Sequence, residues 1–320
     1  MVSTNGLSVH YSVSFPNGAE RHRLLRQLAI SLTSLRVNNS STRVVVFCHG
    51  DVPPELLVVA RQHEAVVVER PPLPETLGTL VGALGPLLAQ CPTMHKFVNF
   101  GSLASLEIGP TVFLDCDTVI FGSLAELHGR VCSVDVAARE ELGSAVCRHA
   151  DRRYLDESLL ADAMSPQPVL PAFNTGVVFF NRLRLERAEE LDRSFAMAAV
   201  RFLLWMAKNP PVSSDATQAD VVPLAPLRAL LTGPDSERLG GLALPYPSVN
   251  RWLLDEAALW VALGEAGLTF QHLEAGWSAQ GAEPNRGALP RTIWHYFSSN
   301  QHGMEARLGL SPTVPHAAVA

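Results

Sequence analysis

Two carboxylates one residue apart, Asp115 and Asp117, sit in VFLDCDTVIFGSL (112–124), at the end of an apolar run that reads as a buried strand. In an extended chain successive side chains alternate between faces, so the two acids would share one face and Cys116 would take the other. Ionised carboxylates this close repel each other unless a cation lies between them or one is protonated. The spacing therefore asks for a positive partner. Hard oxygen ligands favour Mg²⁺ or Mn²⁺, and Mg²⁺ in particular is commonly held by one or two carboxylates together with substrate phosphates. In open α/β sheets ligands bind beyond the carboxyl ends of the strands, where this pair falls.

The same tripeptide has two other readings. It could be a solvated loop after a strand. An apolar run followed by DxDxxV/I is also how the nucleophile loop of haloacid-dehalogenase-type phosphatases begins, which would make Asp115 a nucleophile and Asp117 an acid and base around Mg²⁺. That fold opens with its Asp loop near the N-terminus and needs a later GDxxxD-type acidic strand end. Here three strands are expected upstream, and SSDATQAD (213–220) lacks the glycine.

Three further stretches carry chemistry. PAFNTGVVFFN (171–181) puts Asn174, Thr175 and Gly176 at the start of an apolar strand, where glycine permits close backbone approach and an amide can bond sugar hydroxyls. RWLLDEAALWVAL (251–263) opens an amphipathic helix with Asp255 and Glu256, two acids that would also complement the helix dipole. TIWHYFSS (292–299) buries His295 in an apolar aromatic strand, as a metal ligand or as a core histidine.

In this order and spacing the segments resemble the family 8 glycosyltransferases of the GT-A type, which are nucleotide-sugar transferases. The resemblance rests on LDxD at Leu114–Asp117, FNxGV at Phe173–Val177, a DQxxL-like helix start at Asp255–Leu259, a late His-Tyr pair at His295 and Tyr296, and Trp277. It implies an α/β GT-A (nucleotide-diphospho-sugar transferase) fold. Its mixed, mostly parallel central sheet would be flanked by helices in a single domain over residues 1–302, with 303–320 as a flexible tail. It also implies that Asp115, Asp117 and His295 hold Mn²⁺ or Mg²⁺ against the two phosphates of a donor, with a UDP-sugar favoured. Lys96 and Arg139 would be further cations for the donor, although Lys96 could equally face solvent. Asn174, Thr175 and Gly176 would line the sugar pocket, and Asp255 would hold sugar hydroxyls. Glu256 stands where the family often has Gln, near the reactive face of the sugar. Transfer to an acceptor hydroxyl would proceed with retention of anomeric configuration, and Glu256 would be a catalytic carboxylate or a helix-start acid. The family commonly continues past the late histidine into Gly and Lys-Pro-Trp; this chain reads YFSSNQHGM, without the lysine. That keeps open a nucleotide-sugar-binding protein with impaired turnover.

The elements that must position these residues follow from periodicity. Alternation predicts a strand over 7–15, helical spacing a helix over 20–35, and the β-branched run TRVVVFCH (42–49) a strand covered on both faces, as in parallel sheets. A helix follows Pro53 and Pro54, then a strand at 65–69, so strand and helix alternate as in an α/β layer fold. Residues 71–93 resist assignment, 95–107 reads as helix, and 111–115 and 132–140 read as strands. Residues 169–180 read as a strand interrupted by Asn-Thr-Gly, followed by a helix over 186–207, a Pro/Gly-rich region over 209–250, a helix over 252–266 and a strand at 267–273. The loops at 141–168 and 209–250 are the expected places for acceptor contacts.

Composition bounds the rest. The 320 residues are 47% apolar and 18% charged, enough for a sizeable core, and a net charge of −6 with no basic patch argues against a nucleic-acid partner. The five cysteines lack CxxC spacing and lie mostly in apolar runs, which predicts unpaired thiols. With no leader-like N-terminus and no apolar stretch near the roughly 20 residues that span a bilayer, the expected location is the cytoplasm.

Overall fold

The computed structural model describes residues 6–15, 18–106, 109–140, 171, 173–182, 185–208, 221–232, 248–250, 254–273, 278–280, 292–295 and 304. Its N-terminal part alternates as expected: β1 (Ser8–Val13), α1 (Ala19–Asn38), β2 (Arg43–His49), α2 (Pro54–Gln62) and β3 (Ala65–Arg70). Pro54 begins α2, where its missing N–H costs nothing because that donor would have no helical partner. Two helices, α3 (Leu73–Val81) and α4 (Gly85–Leu88), fill the unassigned stretch, and Pro72 and Gly82 bracket α3. The expected helix over 95–107 is instead a 3₁₀ turn (Pro92–Phe97) and a short α5 (Phe100–Ser105). The break falls at Asn99, whose side chain donates to Ser12 Oγ of β1 (3.0 Å) and, locally, to His95 O (3.0 Å).

Then come β4 (Thr111–Leu114), β5 (Thr118–Ile120), α6 (Leu124–Val131), β6 (Val136–Glu140), β7 (Phe173–Phe180), α7 (Leu185–Lys208), β8 (Val221–Pro223), α8 (Ala225–Thr232), β9 (Ser248–Asn250), α9 (Leu254–Glu265), β10 (Phe270–Leu273), β11 (Ser278–Gln280) and β12 (Ile293–His295). The strand expected over 132–140 is shorter, because α6 and its C-terminal turn occupy the stretch before it. Asn174–Gly176 lie within β7, yet the expected interruption has a counterpart: the β6–β7 register shifts between Ala138 and Glu140 opposite them, and the Gly176 N–H turns to Asn174 Oδ1.

Seven strands form the central sheet in the order β10-β6-β7-β4-β1-β2-β3. Every pairing in it is parallel except those of β7, which runs against both β4 and β6. This is the mixed, mostly parallel sheet that was expected. Alternate side chains divide the core between two faces: Val45, Phe47, Phe113 and Val178 pack with α3, α5, α7 and α9, whereas Val44, Val46, Val112 and Phe179 pack with α1, α2 and α6. A smaller sheet, β11-β12-β5, stands beside the end of β4. Cys48, Cys91, Cys116 and Cys132 are free thiols, and among the described residues no helix is long and apolar enough to cross a membrane. Tyr296, Trp277, Cys147, the whole 141–168 loop and residues 209–220 and 233–247 lie outside the described residues.

Candidate active site

β4 ends at Leu114, and the two acids follow in a tight turn rather than in extended chain. The Thr118 N–H donates to Asp115 O (3.2 Å), and Thr118 Oγ1 donates to the same carbonyl (2.8 Å). The shared face expected from strand alternation is thus made by a turn, and Cys116 packs against the core beneath α1. α1 fixes this turn through a hydroxyl relay. Tyr11 Oη lies 2.9 Å from Ser31 Oγ, and Ser31 Oγ lies 3.0 Å from Thr118 Oγ1. Ser34 Oγ accepts from Ile120 N–H (3.0 Å), and Asn38 Nδ2 donates to Ile120 O (2.9 Å). These bonds explain why α1 buries Ser31 and Ser34.

β5 then carries the chain to its antiparallel partner β12, whose register sets His295 opposite Thr118. His295 Nε2 comes within 3.2 Å of Asp117 Oδ1 and 3.6 Å of Asp115 Oδ2. One ligand atom from each of the three residues lies within 4.8 Å of the others. This is no solvated loop: Asp117 is 9% and His295 6% exposed. Two carboxylates and an imidazole on one side of a future coordination sphere suit a divalent cation that keeps open positions for phosphate oxygens. The chain itself shows that the cluster attracts positive charge, since Lys96 Nζ sits 2.8 Å from Asp115 Oδ2.

The antiparallel run of β7 brings the second part of the site alongside. Val177 pairs with Leu114, and Asp115 N–H donates to Gly176 O (2.9 Å). Asn174 Oδ1 accepts from Gly176 N–H (2.9 Å), and its Nδ2 approaches Glu256 Oε1 (3.4 Å). Gly176 has a role that sequence alone did not give it. A Cβ there would lie 2.2 Å from His295 Cε1 and 2.5 Å from Nδ1, so the bare backbone is the seat of the imidazole.

α9 delivers Asp255 and Glu256 in its first turn, and Trp260 Nε1 anchors the helix on Phe173 O at the start of β7 (2.9 Å). Thr175 Oγ1 lies 3.5 Å from both Asp255 Oδ2 and Glu256 Oε1, so its single proton serves one carboxylate at a time. Lys96 Nζ lies 3.6 Å from Asp255 Oδ2, and one ammonium thereby links the metal-side and helix-side acids. Thr93, which sequence reading missed, donates to Asp255 Oδ1 (3.0 Å). No sequence pattern marks Thr93, because its partner is 162 positions away. Arg139 is a buried residue of β6, the strand beside β7, in register with Leu273 of β10.

Electrostatics follow from this crowding. Burial pushes the Asp115 carboxyl above its ordinary range; Asp117 adds to the push, against the pull of Lys96 and His295. Burial disfavours charge on Lys96, but Asp115, Asp255 and Glu256 outweigh it and hold the ammonium protonated. Burial likewise opposes protonation of His295, yet the charge and hydrogen bond of Asp117, with the charge of Asp115, raise it above an ordinary imidazole.

No protein-family model matches the sequence, and no curated protein does. Solved structures do. An active-site mutant of LgtC aligns at TM-score 0.53 and 13% identity, over 97% of this chain and 98% of that one. The galactosyltransferase LgtC in complex with donor and acceptor sugar analogues aligns at 0.52 and 12%, over the same shares. Mouse xyloside xylosyltransferase 1, without ligand, gives 0.48 and 11%, over 91% of this chain and 97% of that one. At such identities the likeness defines a fold, and that fold is the GT-A glycosyltransferase fold along nearly the whole chain.

Proposed function

We propose that the protein is a metal-dependent glycosyltransferase that moves a hexose-type sugar from a nucleotide diphosphate sugar to an acceptor hydroxyl, with retention. The observation that carries this reading is the meeting of Asp115, Asp117 and His295 beside β4, next to Asn174, Asp255 and Glu256, in a GT-A fold. A UDP-sugar is the favoured donor, and the free thiols of Cys48, Cys91, Cys116 and Cys132 favour the cytoplasm.

Asp115, Asp117 and His295 would hold Mn²⁺ or Mg²⁺. When bound, the ion supplies positive charge to the diphosphate leaving group as its bond to the anomeric carbon breaks. Lys96 adds a second, fixed positive charge on the helix-side flank of Asp115. Asp255, held by Thr93 and Thr175, accepts hydrogen bonds from sugar hydroxyls. Asn174 fixes both the Gly176 backbone and Glu256, and Gly176 keeps the seat of His295 open. Glu256 supplies negative charge to the oxocarbenium-like transition state, by the carboxylate logic of retaining glycosidases. Arg139 is assigned to the donor side as a further cation.

The test is turnover of UDP-glucose, UDP-galactose and GDP-mannose with Mn²⁺ or Mg²⁺, with and without acceptors. Metal-dependent release of the nucleotide diphosphate supports the reading. Binding without turnover would mark a catalytically impaired sugar-nucleotide binder, and phosphate release from phosphomonoesters would point to Asp115 as a nucleophile instead. Replacing Asp115 and Asp117 together by Ala should abolish cation-assisted donor binding in calorimetry. Glu256→Gln should leave donor binding near wild type while lowering kcat by about a hundred-fold, within the range of acid–base and charge-stabilising residues; unchanged turnover would remove Glu256 from the mechanism.

A further inference from the structure

The ligand His295 hangs on a small sheet. β5 and β12 are three residues long, and short ladders of this kind need their faces covered to persist. Strand alternation splits the faces of β12. Ile293 and His295 turn towards the main sheet, where Ile293 joins the core with Ile120, its partner on β5. Trp294 turns the other way and pairs with Val119 of β5. That outer face is closed by Ile30 of α1 and by Met304, and the four residues form a separate apolar cluster in which Met304 is fully buried. Met304 thus comes from a stretch whose sequence carries no pattern, yet it packs on the back of the ladder whose front carries the imidazole.

We propose that Met304 is a positioning residue for the metal site: it holds β12 against β5 and so keeps His295 within reach of Asp117. The proposal rests on the metal-site reading above and extends it to the C-terminal stretch. β5 is also pinned to α1 by the Ser34 and Asn38 hydrogen bonds, so opening of the ladder displaces β12 rather than the two acids. Loss of Met304 therefore acts on one ligand of three. Methionine suits the task, since its flexible thioether fills the irregular space beside an indole ring.

The experiment compares Met304→Ala, Met304→Leu and Leu56→Ala in the full chain. Leu56 is a fully buried residue of α2, on the flank of the sheet that carries β2 and β3, and serves as the control for a general loss of packing. Mn²⁺ affinity is measured by calorimetry, and amide hydrogen exchange is followed at Ile293–His295. Met304→Ala should weaken Mn²⁺ binding by about ten-fold, as loss of support around a ligand does, and speed exchange at β12. Met304→Leu, which conserves volume, should restore both. Leu56→Ala should lower Tm and leave Mn²⁺ affinity unchanged. The proposal is overturned if Met304→Ala binds Mn²⁺ as the wild type does, or if Leu56→Ala weakens binding equally. Should the wild-type chain bind no Mn²⁺, the metal-site reading falls separately. Exchange at Ile293–His295 needs no cation and still decides the contact, with unchanged rates refuting it.

Discussion

At the scale of single residues the site is a problem of placing like charges together and keeping them there. Asp115, Asp117, Asp255 and Glu256 gather around Lys96 and His295, and the two cations bridge the acids that would otherwise repel. Gly176 makes this packing possible. Its φ lies outside the left-handed region, so alanine meets no backbone strain there, and the nearest obstacle to a methyl group is the His295 ring, 2.2 Å from where the Cβ would stand. Gly176→Ala should therefore fold normally while pushing the imidazole off Asp117. Mn²⁺ affinity should fall by about ten- to a hundred-fold, as read by calorimetry; wild-type affinity would show that the ring has another seat. The motif FNTGV displayed Gly176 plainly, but its partner could not be read there. Asn174 and Asp255 were legible as polar residues at element ends, whereas Thr93 was invisible because a lone threonine in an irregular turn has no sequence signature.

Elements decide whether those residues meet. The Thr93–Lys96 turn lies between β1, to which the Asn99 side chain ties it, and α5, whose start is held from another helix. Asp192 of α7 accepts from Phe100 N–H (2.8 Å) and Gly101 N–H (3.0 Å), in place of a local N-cap side chain. Asp192→Ala leaves the buried Phe100 donor and the half-buried Gly101 donor without their acceptor. Such a loss costs about 1–3 kcal/mol, to be read from denaturant unfolding. Asp192→Asn keeps one acceptor oxygen and should recover part of it. Because the same clamp orients the segment with Lys96, donor affinity should fall along with stability in Asp192→Ala. Unchanged donor affinity would show that the turn is held by Ser12 and Asn99 alone. The helix expected over 95–107 was broken by these long-range bonds. Periodicity could not foresee that, because it reports which residues are apolar and not which backbone groups a distant carboxylate will claim.

For the whole molecule the cluster couples cation binding to pH and to stability. The pKa of His295 is raised in the folded chain, so without a cation its favourable contribution is complete below the unfolded imidazole value of about 6.5 and is lost as pH rises through the higher folded value. Asp115, also raised, works in the same sense: its contribution is complete below the ordinary carboxylate value and fades as pH climbs through its folded one. A divalent cation competes with these protons. The increase in Tm on adding Mn²⁺ should therefore be larger at pH 8 than at pH 6, and an equal or smaller increase at pH 8 would show that these two groups are not ligands. By itself the sequence determined the strand–helix alternation and the polar residues at the strand and helix ends, because periodicity and turn chemistry are local and need no knowledge of distant chain. It also supplied the motif order that suggested a GT-A sheet. Only the tertiary structure decided that Asp115 and Asp117 converge through a turn rather than a strand, that Gly176 serves His295, and that Lys96 spans Asp115 and Asp255. The turn is held in place by α1, the seat of His295 by the antiparallel run of β7 and the β5–β12 register, and the reach of Lys96 by the meeting of its 3₁₀ turn with α9. These contacts join residues tens to hundreds of positions apart and leave no periodic trace in the sequence.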